Sequence, residues 1–118
     1  MLALMPTEVQ NGIRKVIKNA SVGNASSTIE TVSDKLFLLS EVEIFGSTSI
    51  SAAGEGTQYD YYKAGNSKVK KINGSAVIWW ERSPSANNSS HFCLVNNNGN
   101  ASAGFPTMSF GVPFGFCF

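Results

Sequence analysis

The chain has 118 residues, the size of one domain, and carries 42% hydrophobic against only 14% charged residues, for a net charge of +1. That length can bury one real core and leaves no room for a second domain. The cations are scattered apart from Lys68, Lys70 and Lys71, so the basic footprint of a nucleic-acid binder is missing, and no apolar run reaches the length of a membrane span.

Met1 to Pro6 has no basic stretch and too short an apolar run for a signal peptide, so a soluble product made without its own secretion signal is expected. Thr7 and Gln10 have capping-box spacing, and Val9, Ile13, Val16 and Ile17 recur at the period of one helix face, which predicts a helix over 7–18 weakened by Gly12. After a small, polar loop over 20–27, Thr28 to Val32 alternates as a half-buried strand does. The continuous apolar run Lys35 to Leu39 predicts a strand covered on both faces. Ser40 and Glu43 repeat the capping-box spacing and predict a short helix over 41–45.

A Ser/Thr/Ala/Gly connection over 46–56 leads to a predicted helix capped by Thr57, carrying Tyr59, Tyr61 and Tyr62 and stopped by Gly65-Asn66. Ala76 to Trp80 has the strongest strand pattern; Phe92 to Val95 and Val112 to Phe118 add two more, with Asn97, Asn98 and Gly99 marking hairpin turns. Helices first and short antiparallel strands last imply a single α+β domain over 1–118 whose core is an aromatic-rich sheet.

The last third frames small polar residues with aromatic ones. From Ile72 onward only Glu81, Arg82 and His91 can carry charge near neutral pH. A lone His91 without a nearby carboxylate in sequence makes no nucleophilic triad, and no cysteine, histidine or carboxylate spacing matches a metal site, so neither catalysis nor a cofactor is expected. Cys93 and Cys117 lie in matching apolar runs and are expected as reduced, neighbouring core residues on paired strands. Arg82, between Trp80 and Pro84, is expected to be partly buried and fastened to a carboxylate or to backbone carbonyls.

Three blocks taken together, Asp34-Lys35-Leu36-Phe37-Leu38-Leu39-Ser40-Glu41, Trp79-Trp80-Glu81-Arg82-Ser83-Pro84, and Gly111-Val112 near an aromatic C-terminus, resemble a known family. They are similar to the C-type-lectin-fold domains that include the hypervariable proteins of diversity-generating retroelements in gut bacteria and their phages, distant kin of the formylglycine-generating enzymes. The resemblance runs from about Pro6 to Phe118. Glu81 stands where the family commonly has Leu, and Pro113-Phe114 follows Gly111-Val112 where the family has Arg-Pro.

What the resemblance implies is a single C-type-lectin-like domain, two short helices on a small, mainly antiparallel sheet, with a diversifiable surface over about 79–118. The calcium-binding triplets of sugar-binding relatives do not occur here, so calcium is not implied. The ligand-binding set then comprises Glu81, His91, Asn96, Asn98, Asn100, Phe105, Met108 and Phe110, all expected to face solvent, and the structural set Trp79, Trp80, Arg82 and Phe116. The partner would be a protein or glycan receptor on a cell surface, with no nucleic acid and no membrane insertion; a homo-oligomer stays open. The setting implied is a phage tail or a bacterial surface protein. Two alternatives stand beside it: a structural assembly domain, and a copper- or thiol-dependent enzyme.

Overall fold

The computed structural model describes residues 2–118. They form a single α+β domain of three short helices and small antiparallel sheets. After a 3-10 turn at Leu2–Leu4, helix α1 spans only Thr7–Gly12, and the chain then turns into strand β1, Val16–Ser21, paired with β2, Ile29–Asp34. The predicted helix over 7–18 is thus cut at Gly12. Thr7 makes no cap; Gln10 instead donates from its side-chain amide to the Met5 carbonyl at 2.6 Å. Past Gly12 the β-branched Val16 and Ile17 gain more from the β2 ladder than from a helix that glycine has already weakened.

Helix α2, Glu41–Phe45, has the expected bounds and a complete capping box: Glu43 N–H donates to Ser40 Oγ at 3.3 Å, and Ser40 N–H to Glu43 Oε1 at 3.0 Å. The run 35–39 joins no sheet. Phe37 makes a two-way backbone bridge with Gly115, while the Leu38 and Leu39 carbonyls accept from the Arg82 guanidinium and the Arg82 N–H. The apolar run is held by isolated contacts, which leaves its side chains only half-buried.

The loop over 46–56 is wound around one side chain. Glu41 Oε1 accepts from the N–H groups of Ile50 (3.1 Å) and Ser51 (3.0 Å) and from Ser51 Oγ (2.9 Å), and Oε2 accepts from Ser49 Oγ (3.1 Å). Ser83 Oγ takes the Glu41 N–H at 2.9 Å and ties this knot to the neighbouring sheet.

Helix α3, Asp60–Lys63, starts two residues later than expected, with Tyr59 and not Thr57 at the N-cap, and has no side-chain cap. The strand predicted over 76–80 splits at Ile78. Its first part, β4 (Ser75–Val77), pairs with β3 (Lys70–Ile72) across Asn73-Gly74, both at positive φ as a two-residue hairpin turn requires. Its second part begins β5, Trp79–Pro84, which pairs with β6, Phe92–Val95, and β6 with β7, Ala101–Gly104. The Ile78 carbonyl and the Trp80 N–H are both occupied by Gly111, which explains the break. β7 was not expected, because Ala-Ser-Ala-Gly lacks the residues that favour strands.

The core gathers Ile44, Tyr62, Trp79 and Val95, with Leu39, Phe45 and Tyr59 packed against it. Trp79 is 1% exposed, and its indole N–H is satisfied by the Lys68 carbonyl at 3.0 Å. Two structural expectations are corrected at the C-terminus. The stretch 112–118 is no ladder strand but an extended tail with bridges at Gly115 and Cys117 only, so Phe116 lies 38% exposed, stacked edge-on with Phe118 instead of in the core. Cys93 is buried in β6 while Cys117 is exposed and pairs with Arg14; both thiols are free, and the two do not share paired strands.

Arg82 has the environment expected of it. Its guanidinium forms an ion pair with Glu43 and donates to the carbonyls of Leu38 (2.9 Å), Asn19 (2.9 Å) and Glu55 (2.7 Å). Arg82→Ala leaves the buried Glu43 carboxylate with Lys18 as its one cationic partner, frees the Leu38, Asn19 and Glu55 carbonyls of this donor, and should cost about 3 kcal/mol in urea denaturation, with Arg82→Lys intermediate, because a lysine keeps the charge and loses the fork.

Candidate functional site

Strand alternation divides β5 between two faces. Trp79 points into the core and Trp80 to the other side, where Leu94 and Phe92 of β6 and Gly104 of β7 share its face. The segment after β7 folds back over this outer face. Phe110 lies against Trp80 with ring centroids 5.1 Å apart, and Met108 reaches Gly104, where an added Cβ would stand 3.4 Å from its sulfur and 3.2 Å from Leu94. Glycine at 104 is therefore what lets loop and sheet come this close.

Around this contact the surface is apolar and open. Phe105 is 49% exposed and Met108 46% exposed, and Phe105 meets His91 edge-on at 4.6 Å. A groove of about 420 Å³ runs alongside, lined by Leu38, Trp80, Glu81, Arg82, Phe92 and Pro106. At the far end of the sheet the β6–β7 hairpin presents Asn96 to Asn100. Asn96 N–H donates to the Asn100 carbonyl at 2.8 Å, and Asn98 Oδ1 accepts the Asn100 N–H at 3.1 Å, so the Asn98 side chain shapes its own turn.

Of the residues expected to face solvent, Asn98, Asn100, Phe105 and Met108 do so, while His91, Asn96 and Phe110 are half-buried. His91, Phe105, Met108 and Phe110 come together around the outer face, and the asparagines stand apart on the hairpin. Glu81 is the correction. It is 2% exposed and neither carboxyl oxygen has a hydrogen-bond partner among the described residues. A place between exposed-looking neighbours misled the sequence reading, since alternation from a buried Trp79 turns Glu81 inward. The same alternation would have placed Phe92 and the half-buried Trp80 on the outer face.

Beneath the face lies a buried acidic cluster. Burial, and then the nearby Glu41 and Glu55 carboxylates, push the Glu81 pKa up to about 9. Burial likewise raises Glu55, despite the Ser21 N–H that donates to its Oε2 at 3.1 Å. Burial works against Glu43 too, but the Ser40 N–H and the Arg82 guanidinium outweigh it and hold its pKa below the ordinary value. On the other oxygen of Glu43, Lys18 Nζ pairs with Oε2 at 3.0 Å and donates to the Tyr59 hydroxyl; burial acts to lower the lysine pKa, and these bonds overcome it and raise it. Burial, and then Glu81, push the Cys93 thiol up and keep it protonated. No group of three His, Cys, Asp or Glu side chains able to hold a metal ion occurs among the described residues, and no helix there is long and apolar enough to cross a membrane.

The chain belongs to the family described as a domain of unknown function (DUF6273), whose model matches residues 3–118. No curated protein and no solved structure matches it.

Two measurements check this chemistry. Glu81 keeps its proton in the fold to about pH 9 but loses it near 4.5 when unfolded, so the folded state binds the extra proton between these values and stability falls as pH rises through that window. The protein should be more stable at pH 5 than at pH 8 by at least about 1 kcal/mol, and Glu81→Gln should flatten that slope. Below pH 4.5 the sign reverses, as Glu43 takes up the proton that its partners exclude. Native alkylation followed by mass spectrometry should label Cys117 and leave Cys93 unlabelled until denaturant is added.

Proposed function

We propose that this domain is a recognition module without catalytic activity, binding a protein or glycan receptor through the outer face of β5–β6–β7 and the β6–β7 hairpin. The observation that carries the reading is the pair Phe105 and Met108: large apolar side chains, about half exposed, standing on a segment that Phe110 and Gly104 pin to a rigid sheet. Such side chains lose little freedom on binding and present a large contact area, while hairpin asparagines offer adaptable polar contacts at the rim. The resemblance to hypervariable C-type-lectin-fold proteins points to the same surface, because its contact positions other than the buried Glu81 lie outside the core gathered around Trp79. On this reading His91, Asn96, Asn98, Asn100, Phe105 and Met108 are the exchangeable set, the buried Glu81 and the anchoring Phe110 are withdrawn from it, and the setting is a phage tail or a bacterial surface.

An assembly role has one observation of its own, the exposed Phe114, Phe116 and Phe118 of the C-terminal tail, which lie outside that contact set. The test uses substitutions on both surfaces. Phe105→Ser and Met108→Ser should each shift stability by no more than about 0.5 kcal/mol, and Trp79→Ala should cost roughly 3 to 5 kcal/mol. In binding assays against panels of bacterial cells and their purified surface proteins and glycans, the first two should weaken binding at least about tenfold, a loss of some 1.4 kcal/mol. A library randomised at His91, Asn96, Asn98, Asn100, Phe105 and Met108 should remain mostly folded. Widespread unfolding, or binding lost only through Phe116→Ser, would sink the recognition reading.

A further inference from the structure

β7 is the outermost strand of its sheet: β6 covers one side of it and, among the described residues, no strand covers the other. The register shows which backbone groups are left over. Asn96 and Asn100 form a hydrogen-bonded pair, and in an antiparallel ladder bonded and non-bonded pairs alternate. Counting along the register, Leu94 with Ser102 and Phe92 with Gly104 bond to each other, whereas Val95 opposite Ala101 and Cys93 opposite Ala103 do not. The N–H and C=O groups of Ala101 and Ala103 therefore point away from β6. The opposite edge has the same phase, since Trp80, across from Leu94, turns its N–H outward to the Gly111 carbonyl at 2.9 Å. There the outward groups are occupied. At Ala101 and Ala103 they have no backbone partner among the described residues.

Proteins usually protect such an edge with charge, proline or a bulge. β7 has none of the three: its register with β6 runs unbroken over Ala101 to Gly104. We propose that β7 takes up an extended segment of a partner protein as an added strand, which deepens the recognition reading and rests on it. Two donor–acceptor pairs on alternate residues, about 6.8 Å apart at 3.4 Å per residue, match the repeat of another polypeptide backbone and are not matched by a sugar. Phe105 and Met108 adjoin the end of this strand and receive the apolar side chains of the added segment. No charged side chain occurs from Phe92 to Phe118, which includes β6, β7 and the segment after it, so the added segment meets no charge from them and is itself uncharged where it docks.

The experiment uses a synthetic library of uncharged, strand-length peptides. The tightest binders should lose at least about tenfold in affinity when alternate backbone amides are N-methylated, and similarly on Ala103→Pro. That proline removes an N–H directed away from β6, so the ladder within the domain survives it; if the variant fails to fold, the methylated peptides decide alone. Peptide binding that persists through both changes overturns strand addition, as does a library without binders. So does a concentration-dependent dimer abolished by Ala103→Pro, which would assign the edge to a second copy. The recognition reading is judged separately, by the Phe105→Ser and Met108→Ser variants on cells, proteins and glycans.

Discussion

One guanidinium holds four parts of the chain together. Arg82 reaches β1 through the Asn19 carbonyl, the 35–39 run through Leu38, the long loop through Glu55, and α2 through the Glu43 carboxylate. Glu43 is in turn the residue that closes the capping box of α2 and accepts Lys18. Arginine suits this place because its planar fork offers five donors in fixed directions, and each carbonyl it satisfies is one that no sheet or helix reaches. With so little regular structure to pair backbone groups, the domain uses a charged side chain where larger proteins use ladders.

On the proposed reading, stability and recognition are separable. β5 sends Trp79 to the core and Trp80 to the outer face, so one strand serves both sides without mixing them. Core packing tolerates little change of volume, whereas half-exposed positions such as Phe105 and Met108 are free of that constraint. A surface built this way can change its chemistry while the interior stays as it is.

Local signals were legible and long-range ones were not. The α2 boundaries, the bounds of β6 and the hairpin after it follow from capping residues, alternation and turn asparagines that act within a few positions. That Arg82 would be fastened to a carboxylate or to backbone carbonyls was readable from its apolar neighbours, but not that it would take both, nor that the carboxylate would be Glu43, 39 residues away. Misreadings fall where tertiary pairing overrides local pattern: β1 replaced the end of a helix, and the 35–39 run met Arg82 and Gly115 instead of strand neighbours. Glu81 shows the other limit. A carboxylate in a polar-looking block reads as surface, and only its phase relative to Trp79 reveals that it lies inside.

The knot around Glu41 has a consequence for motion. The 46–56 loop is irregular and rich in serine and glycine, a composition associated with fraying. Yet the N–H groups of Ile50 and Ser51 end on one buried oxygen, the Ile50 carbonyl accepts from Ala86, and Ser83 anchors the same glutamate from the sheet. Neither amide can be released without disturbing the carboxylate that holds the other. Their exchange with solvent is therefore coupled, and a segment without a ladder opens and closes as one cooperative unit, together with the β5 strand that carries Ser83.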